Sequence, residues 1–144
     1  MNPIRPAPAP APVPVLVPVP DPASEPTALR HERPDVYRTA LEFFDLADDV
    51  LERLPRGRGT LSVQLARASL SIVNNIAEGA GKFSKGDKSR YDQVALGSST
   101  ECAAMLDVCL RRRLVDEATH RQGKHLLSRI VAMLTKLVRL QLGT

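Results

Sequence analysis

His120 and Lys124 stand one helical turn apart, with His125 next to the lysine. An imidazole beside an amine is a pairing that could move protons or help hold a metal ion. Neither chemistry is completed, because no cysteine or carboxylate pair at a matching spacing joins them in a triad or a ligand set. Cys102 and Cys109 lie seven residues apart in what reads as one helix. That spacing separates them by about 10 Å, beyond disulfide reach, so both read as core thiols. Asp45, Asp48, Asp49 and Glu52 form a carboxylate cluster that could bind a cation or do acid–base work. No histidine joins it, and the same spacing makes an ordinary solvated or salt-bridged helix face. The sequence therefore predicts no catalytic residue, no metal and no cofactor.

The elements that carry these residues follow from composition and periodicity. The chain has 144 residues, 43% of them hydrophobic and 25% charged, which suits one domain of ordinary size. Aromatic residues make up 3%, too few for a β-sandwich or barrel core. No uninterrupted apolar run approaches the ~18 residues of a membrane span. Eleven of the twelve prolines fall at or before Pro34 and the last is Pro55. Proline at almost every second position from Pro6 to Pro14 excludes the apolar helix of an export signal and favours an extended polyproline II chain. The chain thus divides into a disordered Pro/Ala-rich leader, residues 1–34, which reads as a docking arm or a tail, and a helical domain, residues 35–144. Without an export signal the cytoplasm is the expected compartment.

Four helices are predicted. The first runs from about Asp35 to Leu54, where Val36, Ala40, Phe43, Ala47, Val50 and Leu54 keep the 4-3-4 spacing of a packed stripe. Pro55-Arg56-Gly57-Arg58-Gly59 breaks the chain. The second helix, Thr60 to about Ala80, is apolar on two sides. Leu61, Leu65, Ala68, Ile72 and Ile76 make one face, and Val63, Ala66, Leu70, Val73 and Ala77 make the other. One face belongs to the subunit core, and the other is expected to be an oligomer interface. Arg67, Ser71, Asn74 and Glu78 run between them as a polar stripe that reads as a structural hydrogen-bonded network. Gly79-Ala80-Gly81 reads as a glycine stop, and Ser84 with Asp87 caps a third helix reaching about Arg113. Gly97 in its middle costs helix propensity and calls for a packing reason, a contact with small residues of another helix. Asp116 caps a fourth helix, to about Leu142, with Leu126, Ile130, Met133, Leu134, Leu137 and Val138 on one half. Long helices with short connections argue an all-α, antiparallel, up-down-up-down four-helix bundle.

The segment from Gln64 to Gly79 resembles the bacterial four helix bundle protein family, which includes proteins encoded by intervening sequences of large-subunit ribosomal RNA genes. Arg67-Ala68, Ser71-Ile72 and Asn75-Ile76-Ala77-Glu78-Gly79 match its first block, and Ala95, Gly97-Ser98 and Glu101 match its second. Ala66 and Val73 depart from the pattern, standing where a second basic residue and a smaller residue or proline are expected. The resemblance spans about Val36 to Leu140 and implies a ring-like homopentamer without enzymatic activity. It extends to the accessory proteins of diversity-generating retroelements, which bind nucleic acid and associate with a reverse transcriptase. The matched polar residues Asn75, Ser98 and Glu101 join Arg67, Ser71 and Glu78 in the expected structural network.

Charge then suggests what such a bundle would meet. From Asp35 onward the chain has 17 Lys and Arg against 13 Asp and Glu, a net +4. In an up-down bundle Arg56 and Arg58 converge with Arg111, Arg112 and Arg113 at one end, while Lys82, Lys85, Lys88 and Arg90 gather at the other. The fourth helix carries Arg121, Lys124, Arg129, Lys136 and Arg139, with no acid after Glu117. A fivefold ring would total about +20 and attract polyanions in a salt-dependent way. Asn, Gln and aromatic residues are sparse near these patches, so binding led by charge and shape is expected rather than base reading. The expected function is nucleic-acid binding, to structured RNA or RNA/DNA, with a reverse transcriptase as a candidate partner and no membrane. The alternative is an oligomeric scaffold whose basic faces pair with the acids of the first helix.

Overall fold

The computed structural model describes Ile4, residues 6–12 and residues 34–143; most of the leader therefore lies outside the described residues. Ile4 and residues 6–12 of the leader are exposed and carry no helix or strand, while its last residue, Pro34, is already helical. The helical domain consists of α1 (Pro34–Arg53), α2 (Gly59–Ala80), α3 (Lys85–Arg111) and α4 (Glu117–Leu142), with no strand among the described residues. Each helix packs on the next in sequence and α4 closes back on α1, while the diagonal pairs α1–α3 and α2–α4 do not pack. Residue pairs fix two of the directions. Arg67 meets Glu101 and Ser71 meets Ser98, so α2 and α3 run in opposite senses. Lys124 meets Asp107 and Gln141 meets Asp92, and α3 and α4 are opposed in the same way.

Pro34 opens α1, where a missing N–H costs nothing and the fixed φ is already helical. The α1 stripe is buried as its spacing predicts, from Val36 through Ala40, Phe43, Ala47 and Val50; Leu54 sits just past the helix and packs on the core partly exposed. Both predicted caps are present. Ser84 Oγ accepts from Asp87 N at 3.0 Å, and Asp116 Oδ1 accepts from Thr119 N at 2.6 Å. These oxygens satisfy two of the N–H groups that a helix start leaves unpaired. The centre is built from Phe43, Leu65, Ile72, Ile76, Leu106, Ile130 and Leu134, with Cys102 and Cys109 free and fully buried among them. Burial pushes the Cys102 thiol up to about 12, helped by the neighbouring Glu101 carboxylate, and burial raises Cys109 as well.

Glycine roles differ from the expectation. Gly81 ends α2 in right-handed helical geometry, its N–H directed to Ala77 O and Glu78 O, so the stop uses none of glycine's left-handed freedom. A Cβ on Gly97 would meet nothing within 4 Å, so no helix of this chain supplies its packing reason. The close approach lies instead at Gly123, where a Cβ would come within 2.6 Å of Leu106 Cδ1 and 3.3 Å of Leu46 Cδ2. There α4 comes down on α3 and α1. The third helix also stops two residues short of Arg113, which takes φ 58 just beyond the helix end. Leu114 N bonds Cys109 O at 2.8 Å and Arg113 N bonds Leu110 O at 3.0 Å, the paired bonds of a Schellman ending with arginine where glycine is usual.

Candidate nucleic-acid interface

The bend from Leu54 to Arg58 and the end of α3 meet at one end of the molecule, as the sequence predicts. Gly57, at φ 95, turns the chain so that Arg58 leads directly into α2. Residues 57–61 and Gln64 then line an open groove of about 850 Å³, closed on the other side by Glu101, Met105, Val108 and Arg112. The start of α2 in this groove has no side-chain cap and no acidic residue in its first turn. Its first N–H groups and the positive end of the helix dipole are left without a carboxylate from this chain. Arg58 and Arg112 face this groove together, whereas Arg56, Arg111 and Arg113 are exposed at the same end without lining it.

Along α4, Arg121, Arg129, Lys136 and Arg139 are all exposed, and none has a carboxylate partner among the described residues. Lys124 behaves differently from the rest of the predicted set. Its Nζ donates to both oxygens of Asp107 at 2.9 and 3.0 Å, and His120 Nε2 lies 2.8 Å from Oδ1 of the same carboxylate. Those two hydrogen bonds hold the Asp107 carboxyl below its ordinary range. The trio clips α3 to α4, so the charge of Lys124 is spent internally and the residue leaves the free basic face. Asp107 was not legible as its partner, because nothing in the sequence gives the register between two helices. No hydroxyl or thiol is hydrogen-bonded to His120 among the described residues, and no group of three or more His, Cys, Asp or Glu is placed to hold a metal there.

The polar stripe between α2 and α3 forms largely as predicted. Arg67 pairs with Glu101 and donates to Gln64 Oε1 at 3.0 Å; Ser71 and Ser98 share a hydrogen bond at 2.8 Å; Asn75 Nδ2 donates to Ser71 O at 2.8 Å. Glu78 stands outside this chain of contacts and lies 3.8 Å from Lys82 on the surface. Asn74 is exposed.

The second apolar face of α2 is confirmed as outward for four of its five residues. Val63 is 64% exposed and Leu70 47%, and Ala66 and Ala77 are exposed with them. Val73, at 8%, belongs to the core, which corrects its assignment to the outer face. Tyr37 and Leu41 are the large apolar residues that α1 leaves exposed.

These features define an all-α, four-helix protein whose last helix carries exposed cations and no acid after its first residue, Glu117. The chain belongs to the 23S rRNA-intervening sequence protein family, whose pattern it matches over residues 32–136. A protein of unknown function from the S23 ribosomal protein family of Bacteroides thetaiotaomicron shares its fold, with a TM-score of 0.67 at 21% identity, over 72% of this chain and 98% of that one. Comparison with functionally curated proteins gives no match.

Proposed function

We propose that this protein is a non-enzymatic, oligomeric four-helix bundle that binds structured RNA, or RNA/DNA, through its basic surfaces. The observation that carries the proposal is the α4 face, where Arg121, Arg129, Lys136 and Arg139 are exposed and no acid follows Glu117 at the helix start. Long cations held in a row, with no carboxylate to neutralise them, are what a phosphate backbone pairs with. Arg58 and Arg112 in one groove at the uncapped start of α2 extend the same chemistry to the end of the molecule. Arg113 supports it too. A non-glycine residue in the left-handed region costs about 1 kcal/mol, and that cost brings a third consecutive arginine to this end. The family description, which names an rRNA intervening sequence, agrees with an RNA context.

The oligomer in this proposal is an up-down-up-down bundle assembled as a homopentameric ring through the exposed face of α2, with Val63, Ala66, Leu70 and Ala77 at the contact. Its setting is the cytoplasm, and a reverse transcriptase is a candidate partner on the strength of the resemblance alone. No helix among the described residues is long and apolar enough to cross a membrane. A second reading, a protein scaffold without nucleic acid, is favoured by one observation: Asp45, Asp48, Asp49 and Glu52 are exposed along α1 and are opposite in charge to the α4 cations. Charge reversal separates the two. Changing Arg129, Lys136 and Arg139 to Glu should abolish retention of a structured RNA in a mobility-shift assay while the solution mass stays constant. If the same change dissociates the oligomer, and the wild type retains no RNA, the scaffold reading is correct.

A further inference from the structure

The end of the molecule away from the Arg58–Arg112 groove holds a residue unlike any other in the domain. Phe83, in the short link between α2 and α3, is fully exposed, whereas Phe43 is buried and Phe44 packs against the core. A single exposed apolar residue is ordinary, but a ring left wholly in water beside cations has both faces free to stack on a ligand. Its sequence neighbours are Lys82 and, two residues on, Lys85. Beyond them the Tyr91 ring receives Lys82 Nζ at 5.1 Å and Arg90 Cζ at 5.2 Å from its centroid, so the cations are held at the surface beside aromatic faces. An open groove next to the link is lined by Asn74, Ala77, Glu78, Gly81 and Lys82. It offers one amide, able both to donate and to accept, beside a basic rim.

A bare aromatic face, a cationic rim and an amide in an adjoining groove are the parts that hold an unpaired nucleotide: a base stacks on the ring, its phosphates meet the cations, and the amide can meet a base edge. We infer that the α2–α3 link is a binding site for single-stranded nucleic acid, with one base stacked on Phe83 and the flanking phosphates on Lys82, Lys85 and Arg90. A duplex cannot supply such a base, because its faces are stacked on one another. An anionic membrane would also meet an exposed aromatic with cations. It fits less well, since Glu78 and Asp87 sit at the same rim and would be pressed against the lipid surface, whereas a flexible strand passes between them. The site rests on the proposal that the protein binds nucleic acid, and it adds an unpaired segment to the ligand and a second place on the molecule. It also adds a base-stacking contact where the sparseness of aromatic and amide residues near the basic patches predicts binding by charge and shape.

The test uses the full chain and fluorescently labelled strands of about twelve nucleotides, one oligouridine and one abasic strand of equal length, read by anisotropy. Phe83→Ala should weaken oligouridine binding about tenfold and leave the abasic strand unchanged, because only the stacking contact is removed. Phe83→Tyr should restore binding. Lys82→Glu with Lys85→Glu should weaken both strands. Equal oligouridine affinity for the wild type and Phe83→Ala would overturn the site, as would Phe83-dependent binding to phosphatidylserine vesicles with no effect of Phe83→Ala on the strand. If Phe83→Ala has no effect while the Arg129, Lys136 and Arg139 reversal still abolishes structured-RNA binding, this site falls and the broader proposal stands. If no nucleic acid binds the wild type, both fall.

Discussion

At the scale of single residues, two glycines on neighbouring helices make opposite predictions. Gly97→Ala adds a methyl group into open space and removes a flexible residue from the middle of a long helix. It should raise subunit stability in urea unfolding by about 0.5–1 kcal/mol. Gly123→Ala makes the same chemical change against Leu106 and Leu46, and should lose that gain to overpacking, ending about 1 kcal/mol less stable than wild type. If Gly97→Ala instead lowers the solution mass, α3 is closely approached there by another copy. Asp107 gives a prediction in pH. Its carboxyl is held below the ordinary range by His120 and Lys124, so the folded state favours its ionised form. The contribution is present above the unfolded carboxylate pKa, about 3.9, and is lost as pH falls through the lower folded value. The stability difference between wild type and Asp107→Asn should therefore shrink as pH falls below about 4. The pair is half exposed, so the difference should stay within about 1 kcal/mol.

The helices themselves were largely legible in the sequence. Caps are local, and Ser84 and Asp116 act where their spacing to Asp87 and Thr119 says they should. The α1 stripe was equally plain, because one apolar side faces one core. Helix α2 was harder. With apolar residues on two sides, periodicity alone cannot say how far the core extends round the helix, and it extends as far as Val73. The Asp107 clip depends on the α3–α4 register, and the open setting of Gly97 depends on packing, so neither has a local signal. The correction at Val73 makes the two-sided reading testable. Val63→Asp and Leu70→Asp should leave circular dichroism and melting of the subunit nearly unchanged while splitting the oligomer. Val73→Asp should cost about 3 kcal/mol or more, because it buries an unpaired carboxyl. If Leu70→Asp is as damaging as Val73→Asp, the outer face of α2 is a packed surface of the subunit and the interface lies elsewhere.

At the scale of the whole molecule, charge is distributed by helix. Acids of α1 and cations of α4 occupy adjacent outer arcs, and arginines and lysines cluster at the two ends. A net +4 per chain is modest, but assembly multiplies it and the separation of signs concentrates it. Binding to a polyanion should then fall steeply with salt, and each phosphate-contacting residue changed should reduce the slope of log K against log salt by about one. The measurement that reaches the central claim most directly is light scattering with refractive index and dual-wavelength absorbance, on protein eluted from a size-exclusion column at low salt. With no Trp and two Tyr, the chain absorbs little at 280 nm, so bound nucleic acid stands out at 260 nm. The account predicts a particle of five times the chain's 15.7 kDa plus bound nucleic acid, with excess 260 nm absorbance that disappears at high salt while the pentamer remains. A single-chain mass with no 260 nm excess at any salt concentration would contradict it.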